Sequence, residues 1–141
     1  MRHIISGEWA AQWQDLALFF LRVTTGLVFF MHGWQKWEGG LGQTAAFLAS
    51  LQFPAPEVFA ALLIGTEVIG GAALILGVFT RLAAKLTGII AIVALLTVHA
   101  SKGFFISAGG YEFILLILAA CMTLLVIGPG SWSADKKFLK M

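Results

Sequence analysis

Four long apolar stretches limit what this chain can fold into. They cover residues 16–31, 58–79, 82–98 and 113–127, and each contains at most one charged residue. A helix rises about 1.5 Å per residue and needs about 20 residues to cross about 30 Å of hydrocarbon. Backbone polar groups find no water inside a bilayer, so a continuous apolar run there folds as a helix. The sequence predicts an all-α membrane protein, a bundle of four transmembrane helices over about residues 16–34, 58–79, 82–101 and 111–128.

The composition agrees with this fold class and excludes several others. Hydrophobic residues make up 60% of the 141 residues and charged residues only 11%, with a mean hydropathy of +0.93. A small soluble fold has too much surface to hide that apolar fraction from water. The net charge of +2 is too small for a nucleic-acid-binding surface. We therefore expect one transmembrane domain over residues 1–141, with the lipid bilayer as its surroundings and no nucleic-acid partner.

The distribution of basic residues predicts the orientation in the membrane. Six basic residues fall on one side of the four predicted helices and two on the other, while Arg22 lies within the first helix. The six are Arg2, Arg81, Lys85, Lys136, Lys137 and Lys140, and the two are Lys36 and Lys102. Because cytoplasmic loops are enriched in Lys and Arg, both termini are predicted to be cytoplasmic.

The connections between the helices differ in length. Residues 39–57 form the longest connection, and some of its residues recur at helical spacing. These are Leu41, Ala45, Leu48 and Gln52. They predict a short interfacial helix between helices one and two, on the outer face. Helices two and three are joined only by Thr80 and Arg81, which predicts a tight hairpin with Thr80 as the N-cap of the third helix.

Two charged residues fall inside apolar stretches. Counting along the helices places Arg22 and Glu67 at a similar depth, about 14–16 Å below the outer side. A lone charge at the bilayer centre costs at least about 2.5–3.5 kcal/mol, so we expect these opposite charges to face each other. Such a pair is either a structural clasp that fixes helix register or the lining of a pocket or proton path.

A second group of polar residues is predicted at the outer ends of the helices. His32 and His99 end the first and third helices, and Glu112 opens the fourth, with Lys36 and Lys102 nearby. Two imidazoles and a carboxylate suit an open metal site, although no local ligand spacing such as HxxxH is present. They also suit a bis-histidine haem or hydrogen bonding to a quinone head group. Alternatively, the histidines only reach for water at the interface.

Short motifs follow one another in one order along nearly the whole chain. They are Leu21-Arg22 before His32-Gly33-x-x-Lys36, Phe53-Pro54-Ala55-Pro56, Glu67-x-x-Gly70-Gly71, Gly77-x-Phe79-Thr80-Arg81, His99 before Gly103-Phe104-Phe105, Gly110-Tyr111-Glu112, and Gly128-Pro129-Gly130 before Ser133-x-Asp135. With this set the chain resembles the DoxX-like four-helix membrane proteins, whose relatives are similar to the membrane subunit of thiosulfate:quinone oxidoreductase.

The resemblance implies a multi-pass protein of the bacterial inner membrane that works in a redox or oxidative-stress-related complex. It would act as a homo-oligomer or beside a partner redox subunit. The positions that the resemblance carries over are Arg22, His32, Lys36, Glu67, Arg81, His99 and Glu112. Distant four-helix relatives that exchange disulfides depend on cysteine pairs, whereas this chain has the single Cys121, which argues against a thiol-oxidase mechanism.

The leading hypothesis is a quinone-linked oxidoreductase subunit. We expect His32, His99 and Glu112 to be catalytic. The expected cofactor-binding residues are Arg22, Lys36, Glu67, His32 and His99. Quinone is favoured over haem or a metal ion, and no metal ligand is assigned. The sequence contains no Rossmann fingerprint, P-loop or cluster motif, so electrons would come from a partner and an enzymatic activity of this chain alone is left open.

The rival hypothesis is a small-molecule transport or scaffold protein with no chemistry of its own. In that case Arg22 and Glu67 belong to a substrate path or a register lock, and oligomers complete the pore. Binding of a lipid-soluble redox cofactor, as opposed to solute movement in liposomes, would discriminate between the two.

Overall fold

The computed structural model describes residues 8–139, and the regular structure in that range is helical. The α-helices are α1 (Gln14–Gly39), α2 (Leu41–Ser50), α3 (Pro56–Leu76), α4 (Thr80–Ala94) and α5 (Glu112–Ile127). A π-helical turn, Leu95–His99, and a 3₁₀ turn, Ala100–Lys102, extend α4. Arg2 and Lys140, which entered the orientation prediction, lie outside the described residues.

Three of these helices are long and apolar enough to cross a membrane. They are α1 with 26 residues, α3 with 21, and α4 with its extension to Lys102, 23 residues in all. The fourth apolar helix, α5, has 16 residues and therefore extends only about 24 Å. The prediction of an all-α chain with long apolar helices is confirmed, whereas a fourth crossing and the cytoplasmic termini remain predictions.

The helices pack in chain order, α1 on α3, α3 on α4 and α4 on α5, with a smaller contact between α1 and α5. Glycines set the close approach of α1 and α3. A Cβ on Gly26 would lie 2.7 Å from the carbonyl oxygen of Gly71, and a Cβ on Gly33 would lie 2.8 Å from the Cβ of Glu67. These two contacts fix the register of the antiparallel pair and so decide which residues share a level.

One end of the bundle, here called the terminal end, contains the start of α1, the α3–α4 turn, the end of α5 and residues 128–139. Asp135 is buried there and accepts hydrogen bonds from the backbone N–H groups of Phe79 (2.6 Å) and Thr80 (2.8 Å). The prediction that Thr80 caps α4 is therefore wrong. Thr80 is the first residue of α4 and Phe79 occupies the cap position, and the Thr80 hydroxyl has no partner within residues 8–139.

Two more charged side chains at the terminal end also bind backbone groups. The Arg81 guanidinium donates to the carbonyl oxygens of residues 125–127, at 2.5, 2.7 and 3.1 Å, where α5 ends. Asp15 accepts hydrogen bonds from the N–H and the hydroxyl of Ser131, at 2.8 and 2.6 Å. A positive charge at a helix C-terminus is favourable, since the last carbonyl groups have no partner in the helix.

The opposite end, here called the loop end, contains α2 and the connection of residues 103–111. Helix α2 buries Ala45 and Leu48 against Ala60 of α3. The prediction of a short helix between the first two long helices is confirmed, and its interfacial position remains a prediction.

Candidate functional site

A buried carboxylate lies at the middle of α3. Glu67 follows Pro56 by eleven residues and precedes Leu76 by nine, which places it about 17 Å and 14 Å from the two ends of the helix. Its side chain is 7% exposed. An ionised carboxylate in such surroundings needs a partner of opposite charge, because desolvation of a lone charge costs far more than a hydrogen bond returns.

That partner is Lys36 of α1. Its ammonium nitrogen lies 2.7 Å from Oε2 and 3.0 Å from Oε1 of Glu67. Lys36 follows Gly33, the residue that touches Glu67, by almost one helical turn. Because Gly33 has no side chain, α3 comes close enough for the lysine stem to reach the carboxylate.

Arg22, the partner expected from the sequence, lies elsewhere. Its guanidinium is 1% exposed and donates to the carbonyl oxygens of Leu74 (2.6 Å), Ile75 (2.8 Å) and Trp132 (2.7 Å). Leu74 and Ile75 belong to the last turn of α3. Arg22 therefore closes the C-terminus of α3 at the terminal end, and the predicted Arg22–Glu67 pair is wrong.

The helix register explains this correction. The prediction placed the outer end of the first helix near His32, whereas α1 continues to Gly39. Gly33 is level with Glu67, so Arg22 lies eleven residues, or about 17 Å, nearer the terminal end than the carboxylate. The two charges differ in depth by half the length of a membrane-spanning helix.

His32 completes the group around Lys36. It precedes Lys36 by four residues on α1, so the two side chains leave the same face of the helix. The Lys36 ammonium also lies 3.4 Å from the His32 carbonyl oxygen. His32 is exposed, and 27% of the Lys36 side chain is exposed. We call His32, Lys36 and Glu67 the Lys36–Glu67 site; it is partly accessible from the side of the bundle.

The chemistry open to this site follows from its groups. An ammonium donates hydrogen bonds, a carboxylate accepts them, and a neutral imidazole does both. An imidazole also exchanges protons readily near neutral pH. The Lys36–Glu67 site can therefore bind a small polar head group and move a proton.

The other two residues of the predicted outer cluster bind the connection of residues 103–111. His99 Nδ1 lies 2.7 Å from the carbonyl oxygen of Gly109, so this nitrogen carries the proton. Glu112 accepts a hydrogen bond from the N–H of Ile106 at 2.6 Å. Across the described part of the chain, no group of three or more His, Cys, Asp or Glu could hold a metal ion. The predicted outer cluster is therefore split, with His32 and Lys36 beside Glu67, and His99 and Glu112 at the connection of residues 103–111. The catalytic roles of His99 and Glu112 stay predictions.

Sequence reasoning selected each member of the Lys36–Glu67 site but missed the lysine–glutamate pairing. Gly26 and Gly33 are seven residues apart, two helical turns along one face of α1, and Gly71 lies four residues after Glu67. Close helix packing through small residues is common in membranes. Aligning these glycines across the two helices is the signal that would have placed Glu67 beside Gly33 and within reach of Lys36.

Comparison with known proteins gives a family and two relatives. The model of a family described as DoxX matches residues 17–100, a segment that contains the Lys36–Glu67 site and His99 and ends before Glu112. A Bacillus subtilis (strain 168) protein named "Putative oxidoreductase CatD" is 32% identical over 121 residues, which cover 86% of each chain. An uncharacterised Haemophilus influenzae protein is 29% identical over 134 residues, 89% of this chain and 85% of the relative. No solved structure matches.

Proposed function

This chain belongs to the DoxX family of membrane proteins, and from that premise we propose that it is a quinone-linked oxidoreductase subunit. The name of the Bacillus subtilis relative supports an oxidoreductase. The observation that carries the quinone assignment is the Lys36–Glu67 ion pair, 2.7 Å between charged atoms at the middle of α3 and partly open to the side of the bundle.

The proposal includes four membrane crossings with both termini in the cytoplasm of a bacterium. Two features of the fold support this topology. The start of α1 and the segment after α5 meet at the terminal end, where Asp15 binds Ser131. The described basic residues Arg81, Lys85, Lys136 and Lys137 belong to this end, in agreement with the enrichment of Lys and Arg in cytoplasmic loops.

The cost of a charged pair in the bilayer supports a functional role. A buried ion pair adds little to stability compared with well-packed apolar residues of the same volume. Ionisable residues within membrane-spanning segments are rare and mark ligand or proton pathways. A purely structural contact at the middle of α3 would need neither charge, since the glycines of α1 and α3 already fix the register.

A quinone suits the hydrogen-bonding groups of this site and the partial exposure of Lys36 and His32. It is an apolar molecule with two carbonyl groups, it diffuses within the bilayer, and it takes up two electrons and two protons on reduction to the quinol. In the proposal, Lys36 donates a hydrogen bond to one quinone oxygen. The Glu67 carboxylate and the His32 imidazole, which lie at one level, each take up a proton that enters from the loop end and pass it to the head group, so that the two protons of the quinol are supplied. A partner redox subunit supplies the two electrons.

The test is the quinone content of the gently purified protein, measured by solvent extraction and mass spectrometry. Glu67→Gln and Lys36→Met each remove one charge of the pair and are expected to lower the quinone-to-protein ratio at least about tenfold, as for loss of a charged hydrogen bond worth about 1.5–3 kcal/mol. Lys102→Met removes a lysine outside the site and is expected to leave the ratio unchanged. Wild-type quinone content in both site variants would refute the assignment.

The transport or scaffold hypothesis predicts a different outcome in the same preparation. A protein that carries only bulk phospholipid, and that moves a polar solute across liposomes, would assign the Lys36–Glu67 site to a solute path. The same two variants would then abolish solute movement.

A further inference from the structure

The connection of residues 103–111 folds back on itself at the loop end. Most of its backbone N–H groups find acceptors within the connection or at the start of α5. Gly110 donates to Phe105 (2.9 Å), Tyr111 to Gly103 (3.1 Å), and Glu112 to Phe104 (2.9 Å). The Glu112 carboxylate accepts from the N–H of Ile106, and His99 donates to the carbonyl of Gly109. Five of the nine N–H groups of the connection, those of residue 106 and residues 108–111, are thus paired without help from water.

Three consecutive apolar side chains project from this paired backbone. Phe104 is 47% exposed, Phe105 67% and Ile106 58%. The Phe104 ring packs edge to face with those of Phe105 and Tyr111, at centroid distances of 5.4 and 5.6 Å. We call Phe104, Phe105 and Ile106 the apolar tip. A rigid apolar tip of this kind is unfavourable in water and needs an apolar neighbour.

The level of the apolar tip follows from the packing of α4 and α5. Thr87 of α4 lies beside Cys121 of α5, with 3.7 Å between Oγ1 and Sγ. Glu112, nine residues before Cys121, is therefore level with about residue 96 of the α4 extension. That extension continues for six more residues, to Lys102, so α5 begins about 9 Å below its end.

This difference in level leaves α5 short of the membrane surface. Its 16 residues give about 24 Å, against about 30 Å of hydrocarbon. The paired connection fills the missing height beside the α4 extension. The first turns of α5 continue the apolar surface, since Phe113 and Leu116 are also exposed, at 39% and 67%.

We propose that the apolar tip inserts into the outer edge of the lipid bilayer and completes the fourth crossing that α5 is too short to make alone. The paired backbone lies at the level of the lipid head groups, and Phe104, Phe105 and Ile106 contact acyl chains. Aromatic residues favour this boundary, and irregular backbone tolerates it only when its polar groups are satisfied. The inference rests on the four-crossing topology of the proposed function.

The single cysteine makes a direct test available. Cys121 is the single cysteine of the sequence, so Cys121→Ala gives a background free of thiols. The Cys121 side chain is 2% exposed. On that background Phe105→Cys, or Ile106→Cys as a second position, is labelled with an environment-sensitive fluorophore in phosphatidylcholine vesicles. Quenching is measured with lipids that carry a nitroxide near the head group or deep in the acyl chain, and with iodide in the water.

We expect labels on the apolar tip to shift to the blue and to lose more emission to the shallow nitroxide than to the deep one or to iodide. Ser101→Cys, exposed at the end of the α4 extension, is the water control and is expected to be quenched by iodide. Met122→Cys, 53% exposed on α5, reports the crossing itself and is expected to be quenched by the deep nitroxide.

Two outcomes would overturn the inference. Tip labels quenched by iodide as strongly as the Ser101 label would place the tip in water. Tip labels protected from iodide and from both nitroxides would mean that protein covers it. If the Met122 label is quenched by the deep nitroxide in either case, only the tip assignment fails; if it is not, the four-crossing topology fails.

Discussion

The terminal end of the bundle and the Lys36–Glu67 site both hold buried charges, but these charges have different partners. At the terminal end Arg22 and Asp135 bind backbone groups at helix ends. In the site, two charged side chains bind each other. A backbone carbonyl or N–H cannot change its charge, so bonds to it hold the fold in one state. A pair of side chains can exchange protons or release one another for a ligand.

The largest effect is expected at the terminal end. Arg22→Met removes the guanidinium that donates to the carbonyl oxygens of Leu74, Ile75 and Trp132. Loss of charged hydrogen bonds to buried acceptors should lower the free energy of unfolding by about 3 kcal/mol or more. The free energy of unfolding is measured in detergent micelles with increasing dodecyl sulfate. Arg22→Lys keeps the charge without the planar geometry, and its free energy of unfolding should lie between those of the wild type and Arg22→Met. Wild-type stability of Arg22→Met would show that Arg22 does not stabilise the terminal end.

A smaller loss is expected where α1 meets α3. A Cβ on Gly33 would lie 2.8 Å from the Cβ of Glu67 and from the backbone nitrogen of Val68, so Gly33→Ala forces the helices apart. Overpacking of this kind costs about 1–3 kcal/mol, and the displacement should also weaken quinone retention. Gly65→Ala is the matched control, because a Cβ there meets nothing within 4 Å. Equal stability for the two variants would contradict the packing argument.

Capping at the α3–α4 turn should have a moderate effect. Asp135→Ala removes the acceptor for the N–H groups of Phe79 and Thr80, and a lost cap costs about 0.5–2 kcal/mol. Thr80→Val keeps the volume of this fully buried side chain and removes only the hydroxyl, which has no partner among residues 8–139, so it should not lower the free energy of unfolding. Comparing the two variants in the same unfolding assay decides which residue caps α4. A larger loss for Thr80→Val than for Asp135→Ala would reverse the assignment.

The smallest effect on stability, with the largest on function, is expected at the Lys36–Glu67 site. The double variant Lys36→Met, Glu67→Leu replaces the ion pair by apolar groups of similar volume. Such replacements are often neutral or stabilising, so unfolding should match the wild type, whereas the bound quinone is lost. The single variant Lys36→Met leaves an unpaired buried carboxylate and should be less stable than the double variant. A double variant that retained its quinone would show that the pair is only a clasp.

The sequence was sufficient for the helices, and it singled out the three residues of the Lys36–Glu67 site without predicting the pairing of Lys36 with Glu67. Apolar runs predict helices because the bilayer leaves few alternatives, and charges within those runs are conspicuous. The pairing depends on helix register, and the polar segment after His32 concealed the continuation of α1 to Gly39. The cap supplied by Asp135 joins residues 55 positions apart, a contact that local spacing does not contain.

The 55 residues between Thr80 and Asp135 also set a time during biosynthesis. At about 5–20 residues per second, the ribosome needs about 3–11 s to make Asp135 after Thr80. The α3–α4 hairpin thus enters the membrane without its cap. Arg22 precedes Trp132 by 110 residues, so the carbonyl of Trp132 is made about 6–22 s after Arg22. The terminal end is therefore completed only after the helices that it joins have been inserted into the membrane.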